Sequence, residues 1–189
     1  MAFVIGITGG IGAGKSVVSR ALRCRGLTVY DCDSEARRIM EGSESLKREI
    51  ACRFGDGCIG PDGSLCRPAI AERVFADDAH RLWLNSRVHA LVRDDIARRV
   101  AEAGDGTFFV ESAIMKSSGL DRMCDAIWLV EAPLELRVRR ACRRDGSARE
   151  AVMARIRSQS AEFDGLDCPR VETIVNDGRS PLLAQIDRL

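Results

Sequence analysis

Aromatic residues make up only 5% of this 189-residue chain, which removes the stacking platforms on which single-strand nucleic-acid binding relies. No apolar run approaches the ~20 residues needed to cross a bilayer. An excess of one charge is lacking too. Lys and Arg number 29 against 28 Asp and Glu, a formal net of +1, so no global field draws the chain toward nucleic acid or an acidic membrane. The eight cysteines include no C-x-x-C pair and read as reduced thiols rather than a disulfide frame or a zinc site. A basic leader with a cleavage site is missing, and export is not expected. There is no internal repeat and no low-complexity tract. What remains is a cytoplasmic globular protein with one sizeable core and attached lobes. Neither nucleic acid nor membrane is an expected partner, and a monomer or weak homo-oligomer is expected.

Lysine is scarce as well, confined to Lys15, Lys47 and Lys116, and the first stands in an unusual place. Gly9-Gly10-Ile11-Gly12-Ala13-Gly14-Lys15-Ser16 completes G-x-x-x-x-G-K-[ST]. The apolar run Phe3-Val4-Ile5-Gly6-Ile7 precedes it, and Val17, Val18, Ala21 and Leu22 follow at helical spacing, so the loop joins a strand to a helix. That context suits a phosphate cradle, because glycines let backbone N–H groups turn toward an anion and the helix N-terminus adds its dipole. Lys15 is expected to reach the β and γ phosphates of a nucleotide, and the Ser16 hydroxyl to hold Mg²⁺.

Further along, Leu27-Thr28-Val29-Tyr30 reads as a second strand ending at Asp31-Cys32-Asp33. In an open parallel α/β sheet, ligands bind at the carboxyl ends of strands, which gives these two aspartates weight. Ser34 is the expected N-cap of the next helix. From about residue 35 to 103 helical periodicity dominates, through Leu46, Ile50 and Ala51, then Ile70, Val74 and Phe75, then Leu82 to Val100. The Gly- and Asp-rich stretch Phe54 to Leu65 interrupts it as loop. This insertion is too long for a plain crossover. Thr107–Glu111 and Ala126–Glu131 return to continuous apolar strand. Each ends in a glutamate, placed as a Mg²⁺-directed carboxylate would be and equally as an ordinary strand terminus.

The segment from Leu134 to Phe163 is helical and arginine-rich. Asp145-Gly146-Ser147 breaks it into two helices, with Ser147 capping the second and Glu150 at the capping-box position. One reading is a solvated cationic face. The other is a lid whose guanidinium groups, foremost Arg140, Arg144 and Arg155, close on phosphates. Glu172 to Val175 is a last strand, closing at Asn176-Asp177-Gly178, and Leu182, Leu183, Ile186 and Leu189 mark a terminal helix. This order of elements, with five strands, is that of a small P-loop kinase with two mobile lobes. Its core comprises residues 1–34, 104–133 and 164–189. Residues 35–103 form a helical acceptor domain and 134–163 the lid.

A P-loop specifies a nucleotide, not a reaction. The D-x-x-G and N-K-x-D elements of GTPase switches and the L-S-G-G-Q of transport ATPases are absent. An acceptor lobe, a cationic lid and a carboxylate after the second strand are present, as a small-molecule kinase requires. In detail, I-T-G-G-I-G-A-G-K-S (7–16), Y-D-C-D-S-E-A-R-R (30–38), F-G-D-G-C-I-G-P-D-G-S-L-C-R (54–67) with V-F-A-D (74–77), R-R-D-G-S (143–147), A-R-I-R-S-Q (154–159) and V-N-D-G (175–178) resemble dephospho-CoA kinases, in order along nearly the whole chain.

The resemblance implies ATP-dependent phosphorylation of the ribose 3′-hydroxyl of 3′-dephospho-CoA, the last step of coenzyme A biosynthesis, with Mg²⁺, on a three-layer α/β/α P-loop fold of the nucleoside-monophosphate-kinase kind with a parallel five-stranded sheet, a helical acceptor-binding insertion and a lid. Asp33 would accept the hydroxyl proton, with Lys15 and Arg140 also at the reaction centre. Arg144 and Asn176 would join the loop in holding the nucleotide. Asp31, Arg67 and His89 would serve the acceptor, Arg67 by anchoring its phosphates. Asp31 fits either an orienting role or a Mg²⁺-bound water. Three places depart from the family pattern: His89-Ala90 for His-Pro, Ala113-Ile114-Met115-Lys116-Ser117 for P-L-L-F-E, and Arg170-Val171 for Ala-Asp. The alternatives are a related kinase acting on another hydroxyl or a nucleoside monophosphate, and a nucleotide-binding protein without catalysis.

Overall fold

The first strand is built from alternating buried faces. In β1 (Phe3–Thr8) every residue after Phe3 is buried, because a strand covered by helices on both faces has no solvent side. The computed structural model describes residues 2–188. The chain continues as α1 (Lys15–Cys24), β2 (Val29–Asp31), α2 (Cys32–Gly42), α3 (Glu44–Phe54), α4 (Arg67–Ala76), α5 (Asp78–Glu102), β3 (Thr107–Glu111), β4 (Ala126–Glu131), α6 (Leu134–Asp145), α7 (Arg149–Ser158), β5 (Val171–Val175) and α8 (Leu182–Ile186). It divides into two compact units, one running to Asp31 and resuming at Val100, the other Cys32–Arg99.

The first unit holds a five-stranded sheet in the order β2-β3-β1-β4-β5, every pair parallel. Ile5, Ile7, Val18, Leu22, Phe109, Trp128, Val130 and Ile174 pack into its core. The register aligns Asp31 with Glu111 and Glu111 with Ile7, so the carboxyl ends of β2, β3 and β1 lie in one row. Both outer strands are short, and on each a side chain engages one residue at the free edge. The Gln185 amide accepts from Val175 N at 2.8 Å and donates to Val175 O at 2.9 Å. On the other margin Arg23 Nη2 donates to Val29 O at 3.2 Å.

The second strand starts later than the sequence suggests. Leu27 N donates to Leu22 O at 3.1 Å and Gly26 N to Arg23 O at 3.0 Å, with Gly26 at φ 80°. This paired closure is a Schellman turn that draws residues 25–27 into the end of α1 and leaves only Val29–Asp31 for the sheet. The chain then passes straight from β2 into α2, so Ser34 lies inside the first turn and does not cap the helix. Ser147 is not a cap either. Ala148 holds the N-cap position of α7 without a side-chain bond, and Ser147 Oγ accepts from Arg155 Nη2 at 3.3 Å. Leu189 falls outside the described residues.

The second unit is helical around Leu46, Ile50, Phe54, Cys58, Leu65, Ile70 and Leu84, with Trp83 edge-on to Phe54 at 5.3 Å. Phe75 and Leu82, expected in that core, are 87% and 63% exposed. Asp95 is 8% exposed and accepts from Arg99 Nε at 3.0 Å and Arg38 Nη2 at 3.3 Å, as well as from Arg98. Glu35 accepts from Arg38 Nε at 2.6 Å and Arg99 Nη2 at 2.8 Å. This network fastens α2, which carries Asp33 as its second residue, to α5. Among the described residues no helix is long and apolar enough to cross a membrane.

Candidate active site

Loop 9–16 turns tightly between β1 and α1, with Ala13 N donating to Gly10 O at 3.0 Å and Val17 N to Gly14 O at 2.9 Å. Lys15 opens the helix and its Nζ spans back over the loop to Gly9 O at 2.8 Å. A lysine held this way carries its charge across the mouth of the glycine turn, where polyphosphate charge is received. Ser16, one residue on, is exposed.

Two elements distant in sequence close on this loop. Asn176, just past β5, donates from Nδ2 to Ala13 O at 2.8 Å, and its own backbone N–H donates to Glu131 O at 2.8 Å. From α6, Arg140 Nη1 donates to Asn176 O at 3.0 Å, and its Nη2 lies 3.4 Å from Asn176 Oδ1. The helix α6 and the post-β5 turn are therefore joined at the loop, which brings Lys15, Arg140 and Asn176 together. Arg144 does not take part. It is held bidentately by its neighbour Asp145, at 2.6 and 3.1 Å, which also receives Arg155. These guanidinium contacts keep the Asp145 carboxyl below its usual range.

Two residues that sequence reasoning passed over meet the loop as well. Arg137 Nε donates to Ile11 O at 3.0 Å, and Ile11 N donates to Gln159 Oε1 at 3.0 Å. Burial pulls the Arg137 guanidinium below its ordinary pKa, with Glu131 acting the other way. The fit is close: a Cβ on Gly12 would stand 2.2 Å from the Arg137 carbonyl oxygen, and Gly12 has φ +75°. Gln159 could have been found in the A-R-I-R-S-Q segment. Arg137 lies one helical turn before Arg140, a spacing shared by several arginines of the segment, so nothing in the sequence singled it out.

Of the residues that the resemblance gives to the acceptor and its proton, Asp33, Arg67 and His89 lie on the second unit and Asp31 on the first. Asp33 is exposed in the first turn of α2, and His89 is half-buried midway along α5. Arg67 begins α4, half-exposed, with Nη2 3.8 Å from Glu41 Oε2. Asp31 ends β2 beside Glu111.

For Mg²⁺ the protein offers hard oxygen donors of the right kind, the Ser16 hydroxyl at the helix start and Glu111 at the end of β3. Among the described residues no group of three or more His, Cys, Asp or Glu gathers to hold a metal. The donor set thus fits an ion that takes most of its ligands from phosphates and water, as Mg²⁺ does.

Comparison with known proteins bears on this arrangement. The sequence model of dephospho-CoA kinases matches residues 3–180. A dephospho-CoA kinase of Bacteroides fragilis is 39% identical over 189 residues, covering 98% of this chain and 90% of that protein. One of Deinococcus radiodurans is 42% identical over 183 residues, covering 95% and 86%. A crystal structure from Thermus thermophilus superposes with a TM-score of 0.78 at 34% identity, over 99% of this chain and 93% of that one. The chain belongs to the dephospho-CoA kinase family.

Proposed function

We propose that the chain transfers the γ-phosphoryl group of ATP to the ribose 3′-hydroxyl of 3′-dephospho-CoA, giving coenzyme A and ADP. The observation that carries this is the closed loop 9–16, gripped by Lys15, Asn176, Arg140 and Arg137 in a chain that matches the family from residue 3 to 180.

Phosphoryl transfer needs positioning and charge neutralisation more than covalent chemistry. The backbone of residues 9–14 and Lys15 receive the β and γ phosphates. Arg140, with Arg144 once released from Asp145, balances charge that spreads over the transferring group. Ser16, with Glu111 through a water, would hold Mg²⁺, which supplies neutralisation of phosphate charge. Asp33 accepts the 3′-hydroxyl proton, a task suited to a carboxylate that is ionised at neutral pH. Asp31 orients that group, Arg67 anchors the acceptor's phosphates, and His89 contributes to the acceptor pocket. Residues 1–34, 104–133 and 164–189 act as the nucleotide core, 35–103 as the acceptor domain and 134–163 as the lid. The reaction is cytoplasmic, carried out by a monomer or weak homo-oligomer without nucleic acid.

The test is a coupled ADP-release assay with dephospho-CoA, AMP, CMP, UMP and shikimate as acceptors, each with and without Mg²⁺. ADP and coenzyme A should form in equal amounts from dephospho-CoA alone, and only with Mg²⁺. Faster release with another acceptor would overturn the assignment.

A further inference from the structure

We propose that Cys58 and Cys66 are a redox-active pair that takes up an intramolecular disulfide from a low-molecular-weight disulfide such as oxidised glutathione, at the root of the loop that delivers Arg67. The loop 59–65 folds back on itself through an antiparallel bridge between Ile59 and Leu65. Gly60 N donates to Ser64 O at 2.7 Å and Cys66 N to Cys58 O at 2.8 Å. These two bonds flank the bridge, and the second joins the backbones of Cys58 and Cys66 directly, where a 3-10 turn ending at Cys58 meets the residue that caps α4.

Residues joined by such a backbone hydrogen bond across a bridge have Cα atoms about 5.5 Å apart, inside the range that a disulfide spans. Their Cβ atoms need to close by about 1 Å. Gly55, Gly57, Gly60 and Gly63 surround the pair in sequence, and glycine leaves the backbone more freedom to make such a movement than any other residue. All eight cysteines are reduced here, and this pair is joined by a backbone hydrogen bond from Cys66 N to Cys58 O.

Access decides the order of events. Cys58 is 1% exposed, while Cys66 is half-exposed. Burial raises the Cys58 thiol above its ordinary range, Arg73 pulls it down, and Cys66 and Glu72 add to the rise. The Cys66 thiolate therefore attacks first. It breaks the S–S bond of the oxidant, forms a mixed disulfide and releases one glutathione, which takes up a proton. Cys58 then gives its proton to solvent and attacks the Cys66 sulfur, and the second glutathione leaves. Two protein thiols are oxidised and one glutathione disulfide is reduced to two thiols.

The bond would lock the turn that ends at Arg67, whose N–H already donates to Leu65 O at 3.0 Å. The chemistry of the pair is independent of which acceptor the enzyme phosphorylates, so its test uses no turnover.

The full-length protein is equilibrated in glutathione buffers of rising oxidised fraction, quenched in acid, denatured, alkylated and digested with trypsin. Both cysteines fall in one peptide, Phe54–Arg73, because Pro68 protects the bond after Arg67. In oxidising buffer that peptide should lose both alkylation sites together and weigh two hydrogens less. Cys66→Ser should leave Cys58 fully alkylated in the same buffer. Full alkylation of both residues at the most oxidising ratio would overturn the proposal. So would a glutathione adduct persisting on Cys66 beside a free Cys58, or a link from Cys66 to any other cysteine.

Discussion

The side-chain amide of Asn176 donates to the carbonyl of Ala13 at 2.8 Å across 163 residues of sequence, tying the end of the fifth strand to the loop after the first. Because Arg140 in turn donates to the Asn176 carbonyl, one asparagine joins α6 to the loop. Asn176→Ala should raise the ATP dissociation constant about tenfold, the equivalent of roughly 1.4 kcal/mol and the usual scale for losing a partly buried hydrogen bond. Isothermal titration with ATP measures it, and an unchanged constant would remove Asn176 from the loop's support.

Gly10 and Gly12 both touch Arg137 but in different ways. A Cβ on Gly10 would meet the guanidinium Nη2 at 2.0 Å, the movable end of a side chain, whereas on Gly12 it would meet the Arg137 backbone oxygen at 2.2 Å. Gly12 also sits at φ +75°, where a non-glycine residue costs about 1–3 kcal/mol. Gly12→Ala should therefore lower the melting temperature and abolish ATP binding. Gly10→Ala should fold normally and displace Arg137 only. Equal losses in thermal melts of the two variants would refute this reading of the loop.

Asp33→Asn keeps the shape of the side chain and removes its basicity. The expected result is a kcat lower by at least ~10² with ATP affinity within about twofold of the parent. Steady-state kinetics with an independent ATP titration separates the two. Full activity would show that the proton leaves by another route.

Buried Cys124 makes a prediction about pH. Burial pushes its thiol up to about 12 from 9.0, and its Sγ donates to Leu120 O at 3.2 Å. Above pH 9 the unfolded chain loses this proton while the folded chain keeps it. Stability is then complete below pH 9 and falls as pH rises toward 12, by up to about 1.4 kcal/mol per pH unit. In urea unfolding, Cys124→Ser should show a shallower loss of stability over that interval. Parallel curves for the two proteins would contradict the assignment.

The sheet and the loop were legible because each rests on local pattern. Continuous apolar runs such as Thr107–Glu111 and Ala126–Glu131 can only be buried strands, and the glycine spacing before Lys15 permits few other uses. What escaped depended on distant partners. Ser34 and Ser147 have the composition of caps, yet a chain running straight from β2 into α2 leaves the first nothing to cap, and Arg155 engages the second. Phe75 and Leu82 fit a helical period, but the core was completed by the turn carrying Cys58 and Leu65, whose inward course no periodicity announces. Arg137 was hidden among equals, since only the tertiary approach of α6 to Ile11 distinguishes one guanidinium from seven neighbours.

The two outer strands carry a further consequence. Gln185 imitates a neighbouring strand for Val175, and Arg23 claims a carbonyl on the opposite margin, so each border of the sheet has one position held by a side chain of the same molecule. Open borders are where sheets recruit other polypeptides. Here an incoming chain would have to displace a glutamine or an arginine already in place. Enlargement of the sheet into fibres or swapped dimers is thus opposed by two residues that have no part in the reaction.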